Sequence, residues 1–155
     1  MPDIVLAHLG FVAFRVALVS AVFLAVMAPF GVFASVPGVL VAFLVQPLVG
    51  LAFAAPLYAL TAALPNESGF ALVFRLGMIP MFLFSGAFFP ISNLGPWMEV
   101  IAKATPLWHA VDLTRMLVLG RVDTSLAVVH LVYLGALALA GWLLATRLLH
   151  RRLVD

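Results

Sequence analysis

Cysteine is absent from this sequence, and charge is nearly so: Asp, Glu, Lys and Arg together make up 9% of it. Without cysteine there is no disulfide framework, no thiolate metal site and no cysteine nucleophile. With so little charge, the chain cannot cover its surface as a water-soluble domain does, where about a quarter of residues are charged. Lys103 is the only lysine. No G-x-x-x-x-G-K-[ST] run therefore exists, and the chain cannot build its own P-loop nucleotide site. H-E-x-x-H and G-x-S-x-G are missing too, so no recognisable catalytic constellation is present. One His and one Asp in a segment fall short of a metal ligand set. No cofactor is implied.

What the chain does have is apolar length. Hydrophobic residues make up 66% of it, and the mean hydropathy is +1.25. The net charge of +2 rests on few groups, most of them beside apolar runs. They read as topology signals, not as a nucleic-acid surface. The start, Met1-Pro2-Asp3, lacks the basic region of a secretory signal, so the first apolar run reads as a retained span.

Between Arg15 and Glu67 no charged residue occurs, a stretch of roughly fifty residues that holds two spans of about 20. Pro37-Gly38 is read as the turn that divides it, giving spans over 9–33 and 39–64. Residues 16–33 carry about ten Val, Leu or Phe, worth roughly −0.3 to −0.6 kcal/mol each at mid-membrane. That sum outweighs Arg15, which can snorkel near the span's end. A polar loop, Pro65-Asn66-Glu67-Ser68-Gly69, precedes a third span over 70–89, with Arg75 near its start. The last span covers 125–146 and ends in Arg147, His150, Arg151 and Arg152.

That basic tail favours a cytoplasmic C-terminus. Four crossings then place the N-terminus and Glu67 inside and Pro37 outside. Arg15, Arg75 and the tail lie near the inner face, with Lys103, Arg115 and Arg121 near the outer one. The expected fold class is all-α, a polytopic transmembrane protein of about four spans plus an outer-face re-entrant hairpin.

Residues 91–120 form that hairpin. Gly95-Pro96 and Thr105-Pro106 are both helix starts, and Gly120 fits a helix end. Asp123 or Thr124 can cap the last span. The two helices are too short and polar to span, yet too apolar for an ordinary loop.

Two motifs carry the candidate site. Pro80 and Pro90 bracket an aromatic run in which Phe84 and Phe88 share a face, as do Phe82 and Phe89, while Ser85-Gly86 permits close backbone approach. It reads as a bent span end lining a lipid or substrate path, or as an aromatic belt at the interface. The stretch Thr105–Arg115 puts His109, Asp112 and Met116 on one helical face and lets Asp112 pair with Arg115. It reads as a polar cluster at a pathway mouth, or as a network that holds the hairpin down. His130, in the first turns of the last span, is a functional candidate as an intramembrane ionisable group, but a lone histidine near the interface reads more readily as solvated. Gln46, Pro47 and Pro56 interrupt the second span, and small-residue stripes at Ala55, Ala59, Ala63 and at Ala136, Ala140 suit helix contact.

The run Phe84-Ser85-Gly86-Ala87-Phe88-Phe89-Pro90, then Pro96-Trp97, Thr105-Pro106-Leu107 with His109, Asp112-Leu113-Thr114-Arg115 and Gly120 resembles the C-terminal half of ABC-2 type transporter permeases. The nearest branch is the one with the nodulation-factor exporter and daunorubicin-resistance permeases. The resemblance implies a permease subunit in the plasma membrane (the bacterial inner membrane), both termini cytoplasmic. It would pair with a second permease copy, as homodimer or heterodimer, and dock on a separate ATP-binding-cassette ATPase subunit. The cargo would be a lipid-linked saccharide, drug or similar amphiphile. Six spans are usual in the family, so two N-terminal spans and an amphipathic N-terminal segment are missing from this permease domain of residues 1–155. Asn66 and Glu67 are then the remaining candidate ATPase contact. The alternative is a non-transporting membrane assembly or interaction protein, or an inactive truncated permease. A membrane-embedded enzyme using His109 and Asp112 is a third, weaker reading.

Overall fold

The computed structural model describes residues 2–64 and 67–154. Its described elements are all helical. Helix α1 runs Pro2–Met27 and tightens into a 3-10 turn, Ala28–Phe30, that ends at Gly31 with φ +67°. Helix α2 runs Val36–Ala63, and α3 covers Glu67–Val73. A π-helical turn, Phe74–Met78, leads into α4, Ile79–Leu83. A short 3-10 turn at Ile91–Leu94 precedes α5, Pro96–Lys103, and α6, Pro106–Val118. The chain closes with α7, Thr124–Val154.

Three described stretches are long and apolar enough to cross a membrane: Asp3–Phe30, Val36–Ala63 and Thr124–His150. The expected turn at Pro37-Gly38 is instead the first turn of α2. Ser35 caps that helix, its hydroxyl accepting from the Gly38 N–H at 3.1 Å. Proline is well placed there, since a first-turn residue has no helical partner for its N–H anyway.

The expected third span differs most. Its helix begins at Glu67 but stops at Leu83, not Phe89, because Gly86 adopts φ +81° and Pro90 is extended. Pro80 explains the π turn before it. Proline has no N–H for the Leu76 carbonyl and crowds it, and a widened turn relieves both faults. With the helix ending early, Arg75 lies at its middle instead of near its start. On the insertion scale an arginine at a helix centre costs about 2.5–3.5 kcal/mol.

Helix α2 is the centre of the fold. Val5, Leu9, Ala55, Ala59 and Ala145 bury one cluster between α1, α2 and α7. Ala42, Ala52, Leu113, Leu117 and Leu134 bury a second between α2, α6 and α7. Of the expected small-residue stripes, Ala55 and Ala59 are buried but Ala136 and Ala140 are exposed. Gly141 takes their place: a Cβ there would run into the Pro56 nitrogen and sit 2.6 Å from the Ala55 carbonyl carbon. The α2 and α7 backbones touch at that point, and the interruption at Pro56 is where the neighbour comes closest.

Candidate functional site

Helices α5 and α6 form a capped hairpin that lies against the start of α7. The Thr105 hydroxyl accepts from the Trp108 N–H at 3.4 Å and opens α6. At the other end the Gly120 N–H bonds Leu117 O and the Arg121 N–H bonds Met116 O, with Gly120 at φ +64°. That pair of bonds satisfies the last carbonyls of α6. Asp123 then caps α7, accepting from the Ser125 and Leu126 N–H groups at 2.9 and 3.2 Å. The side chain of Ser125 donates to the same oxygen and, with the Leu126 amide, holds the Asp123 carboxyl below its ordinary range.

Between α6 and α7 sits a polar chain. His109 and His130 are both buried, and their Nδ1 atoms face each other at 2.7 Å. The Nε2 of His130 meets the Asp112 carboxylate at 3.2 Å. With Asp112 ionised and both rings neutral, the proton order follows. His130 donates from Nε2 to Asp112, and its Nδ1 accepts from the Nδ1–H of His109. The His109 ring stacks on Tyr133 at 4.0 Å, and the Tyr133 hydroxyl donates to the Ala104 carbonyl at 2.7 Å. Trp108 closes the cluster, edge-on to both imidazoles. Burial, and then repulsion from His130, push the His109 pKa below its ordinary value, so that ring favours its neutral form.

Sequence reasoning placed His109 and Asp112 together, and the structure does so. It read His130 as a lone solvated histidine, and this is corrected: His130 is the middle of the chain. Tyr133 was missed. His130 and Tyr133 lie one helical turn apart on α7, and only the packing of α7 on α6 brings them to His109. The expected Asp112–Arg115 pair is not among the described ion pairs. Asp112 is taken by His130, and the Arg115 guanidinium donates to the Gly86 carbonyl at 2.6 Å.

That bond ties the hairpin to the aromatic run. Ser85 is fully buried, its hydroxyl donating to Phe82 O at 2.8 Å and accepting from the Ala87 N–H at 3.3 Å. Gly86 is buried beside Ile91 and Trp108. Phe84 and Phe89 are half-buried, Phe88 and Pro90 exposed. Because the helix has already ended, Phe82 and Phe89 do not share a helical face as expected. Phe88 instead folds back edge-on to Phe82 at 5.1 Å. Pro106 is half-buried in the first turn of α6. Asn66 lies outside the described residues, and Glu67 is described only as the first residue of α3.

Two further contacts anchor the hairpin. Gln46 of α2 donates to the Thr114 hydroxyl at 3.1 Å, and the Ala34 N–H bonds Val118 O at 3.2 Å. No group of three or more potential ligands that could hold a metal occurs among the described residues. The arrangement can relay a proton across two imidazoles. It also couples four parts of the chain: the α1–α2 link, α2, the turn after α4, and α7.

Comparison with known proteins follows the same lines. Residues 1–119 match the family model described as ABC-2 type transporter. Nodulation protein J of Sinorhizobium fredii (strain NBRC 101917 / NGR234) is 36% identical over 153 residues, covering 99% of this chain and 58% of that protein. Nodulation protein J of Rhizobium meliloti (strain 1021) is 33% identical over 156 residues, covering 98% of this chain and 57% of the relative. The chain thus spans less than two thirds of the length of these curated relatives. No solved structure matches. Three long apolar helices and a family match over most of its length make this a multi-pass membrane protein, and the chain belongs to the ABC-2 type transporter family.

Proposed function

We propose that the chain serves as a membrane-spanning permease subunit of an ATP-binding-cassette exporter. It moves an amphiphile (a lipid-linked saccharide, a drug or a similar molecule) with ATP hydrolysed by a separate subunit. The observation that carries this reading is the family match, which runs through the hairpin that the fold ties to every neighbouring element. The nodulation protein J relatives support it.

In this reading the chain crosses the bacterial inner membrane four times. The short apolar helix of residues 67–83 is the third crossing, and both termini are cytoplasmic. Residues 91–120 form a re-entrant hairpin on the outer face. Phe84 to Pro90, with Pro106, His109, Asp112 and Arg115, line or brace the mouth of the path. A second permease copy completes it, and Asn66 with Glu67 faces the ATPase.

Co-expression with a candidate ATP-binding-cassette subunit, followed by co-purification and ATPase assay in liposomes, tests the reading. Association together with lipid-dependent ATP hydrolysis is the expected result. No association with any such subunit would overturn it. Association without transport of any amphiphile would favour the rival reading, a non-transporting membrane interaction protein.

A further inference from the structure

The hairpin is held at its two ends by different neighbours. Among the described residues, its polar contacts with α7 fall on one helical turn. His109 and Asp112 reach His130, and the Ala104 carbonyl accepts from Tyr133. The later part of α6 is held elsewhere. Thr114 meets Gln46, the Val118 carbonyl accepts from the Ala34 N–H, and a Cβ at Gly38 would run into the Leu117 carbonyl. For polar contact with α7, then, α5 and the start of α6 depend on the imidazole pair and Tyr133, while the end of α6 rests on α2.

A count of protons on the pair shows what it can accept. With two neutral rings, His130 Nε2–H donates to Asp112, and His109 Nδ1–H donates to His130 Nδ1 across 2.7 Å. His109 Nε2 then carries no hydrogen. A first added proton goes there, or the bridging proton shifts so that His130 bears the charge, and each of these bonds survives. Asp112 balances that charge, and the Lys103 backbone accepts from the His109 ring. A second added proton has one place left, the nitrogen that accepts between the rings. Two N–H groups cannot face each other at 2.7 Å, and two cations with ring centres 4.9 Å apart repel where burial removes the screening of water. The second proton therefore parts the rings.

The groups that face His109 are His130 and Tyr133 of α7, Asp112 and Trp108 of its own helix, and the Lys103 backbone of α5. The Lys103 ammonium is turned to Glu99, Arg115 holds Gly86, and α2 brings the uncharged Gln46 to this helix. Burial, and then the charge of His130, push the His109 pKa below its ordinary 6.5, so the second proton binds only in acid.

We propose that the His109–His130 contact is a proton-operated latch: the second proton taken up by the pair releases α5 and the start of α6 from α7, and the hairpin swings on the end of α6, which stays on α2. The latch stands apart from the exporter reading, because it is built from contacts within this chain.

The test uses the full chain in phosphatidylcholine vesicles, with pairs of spin labels on introduced cysteines. Val100→Cys with Val128→Cys spans α5 and α7, and Leu119→Cys with Leu40→Cys spans the pivot; all four positions are exposed. Between about pH 8 and about pH 5 the first separation should lengthen reversibly, with the change falling below pH 6.5, and the second should stay fixed. His109→Gln and His130→Gln, in variants whose helicity is unchanged at the higher pH, should each abolish the lengthening. In the parent chain, nitrogen-15 NMR of labelled histidines should show the pair passing from one imidazolium to two as the separation grows. His8→Gln and His150→Gln, at exposed positions outside the cluster, assign the other signals. A first separation that does not respond to pH would overturn the latch, as would lengthening of both separations together. Lengthening that survives either His→Gln variant also counts against it. If both variants lose their helicity, the NMR titration decides: opening without a second imidazolium rejects the proposal.

Discussion

Replacing Asp112 with alanine strips His130 of the acceptor for its Nε2–H while leaving both imidazoles buried. An unsatisfied buried polar group costs about 1–3 kcal/mol. Amide exchange in α6 should accelerate accordingly, roughly 5- to 150-fold, while the middle of α2 keeps its protection. Acid should loosen the same contact. His109 has a pKa below its ordinary 6.5, mainly through burial and then through His130, so the unfolded chain binds a proton there first as pH falls. Stability is then full above pH 6.5 and declines as the pH drops through the lowered value. The groups facing this ring are His130 and Tyr133 of α7, Asp112 of its own helix and the Lys103 backbone of α5. Asp123 titrates below 3.8 and does not contribute in that window. The melting midpoint in detergent should therefore fall between pH 7.5 and pH 5.5, and His109→Gln should flatten the slope. At this scale the sequence revealed His109 and Asp112, which lie on one helix three residues apart. It could not reveal His130, because helix periodicity relates residues within an element and says nothing about which face of α7 meets α6.

Between elements, glycine decides how near two helices come. Gly141 has the Pro56 ring and backbone where its Cβ would be, whereas a Cβ at Gly135 on the same helix meets nothing within 4 Å. Gly141→Ala should destabilise the protein by about 1–3 kcal/mol through overpacking, since neither backbone can give way. Gly135→Ala should be neutral or slightly stabilising, because alanine is the better helix former. Thermal unfolding of both variants, followed by circular dichroism in detergent, compares them directly. Thr105→Ala should cost about 1 kcal/mol by uncapping α6. Helix starts at Pro96 and Thr105-Pro106 and the end at Gly120 were legible, since each rests on local chemistry. The break after Leu83 was not, because apolar residues continue to Phe89 and hydropathy does not register the positive φ of Gly86. The Ala136–Ala140 stripe misled for a related reason: small residues permit contact but do not choose the face that receives it.

For the whole molecule, the absence of cysteine makes topology directly measurable, because an introduced thiol has no background. Ser92→Cys, exposed in the turn before α5, should react with a membrane-impermeant maleimide added to intact cells. His150→Cys, exposed near the end of α7, should react only after permeabilisation. The reverse pattern would invert the proposed orientation. The all-helical class and the apolar long helices follow from composition and length. The count of crossings depends on residues 67–83, whose helix is shorter than a usual span and carries a charge at its centre.

The chain of contacts from Asp112 through His130 to His109 also has a meaning for biogenesis. Two of its members precede residue 113, but the third arrives only with α7, which is synthesised after the hairpin. Until then the hairpin has Gln46, the Ala34 amide and the Gly86 carbonyl to hold it, but the His109 ring lacks its partner. The polar face of the hairpin is thus completed by one late histidine, and a nascent chain that stalls before residue 130 leaves that face without its partner.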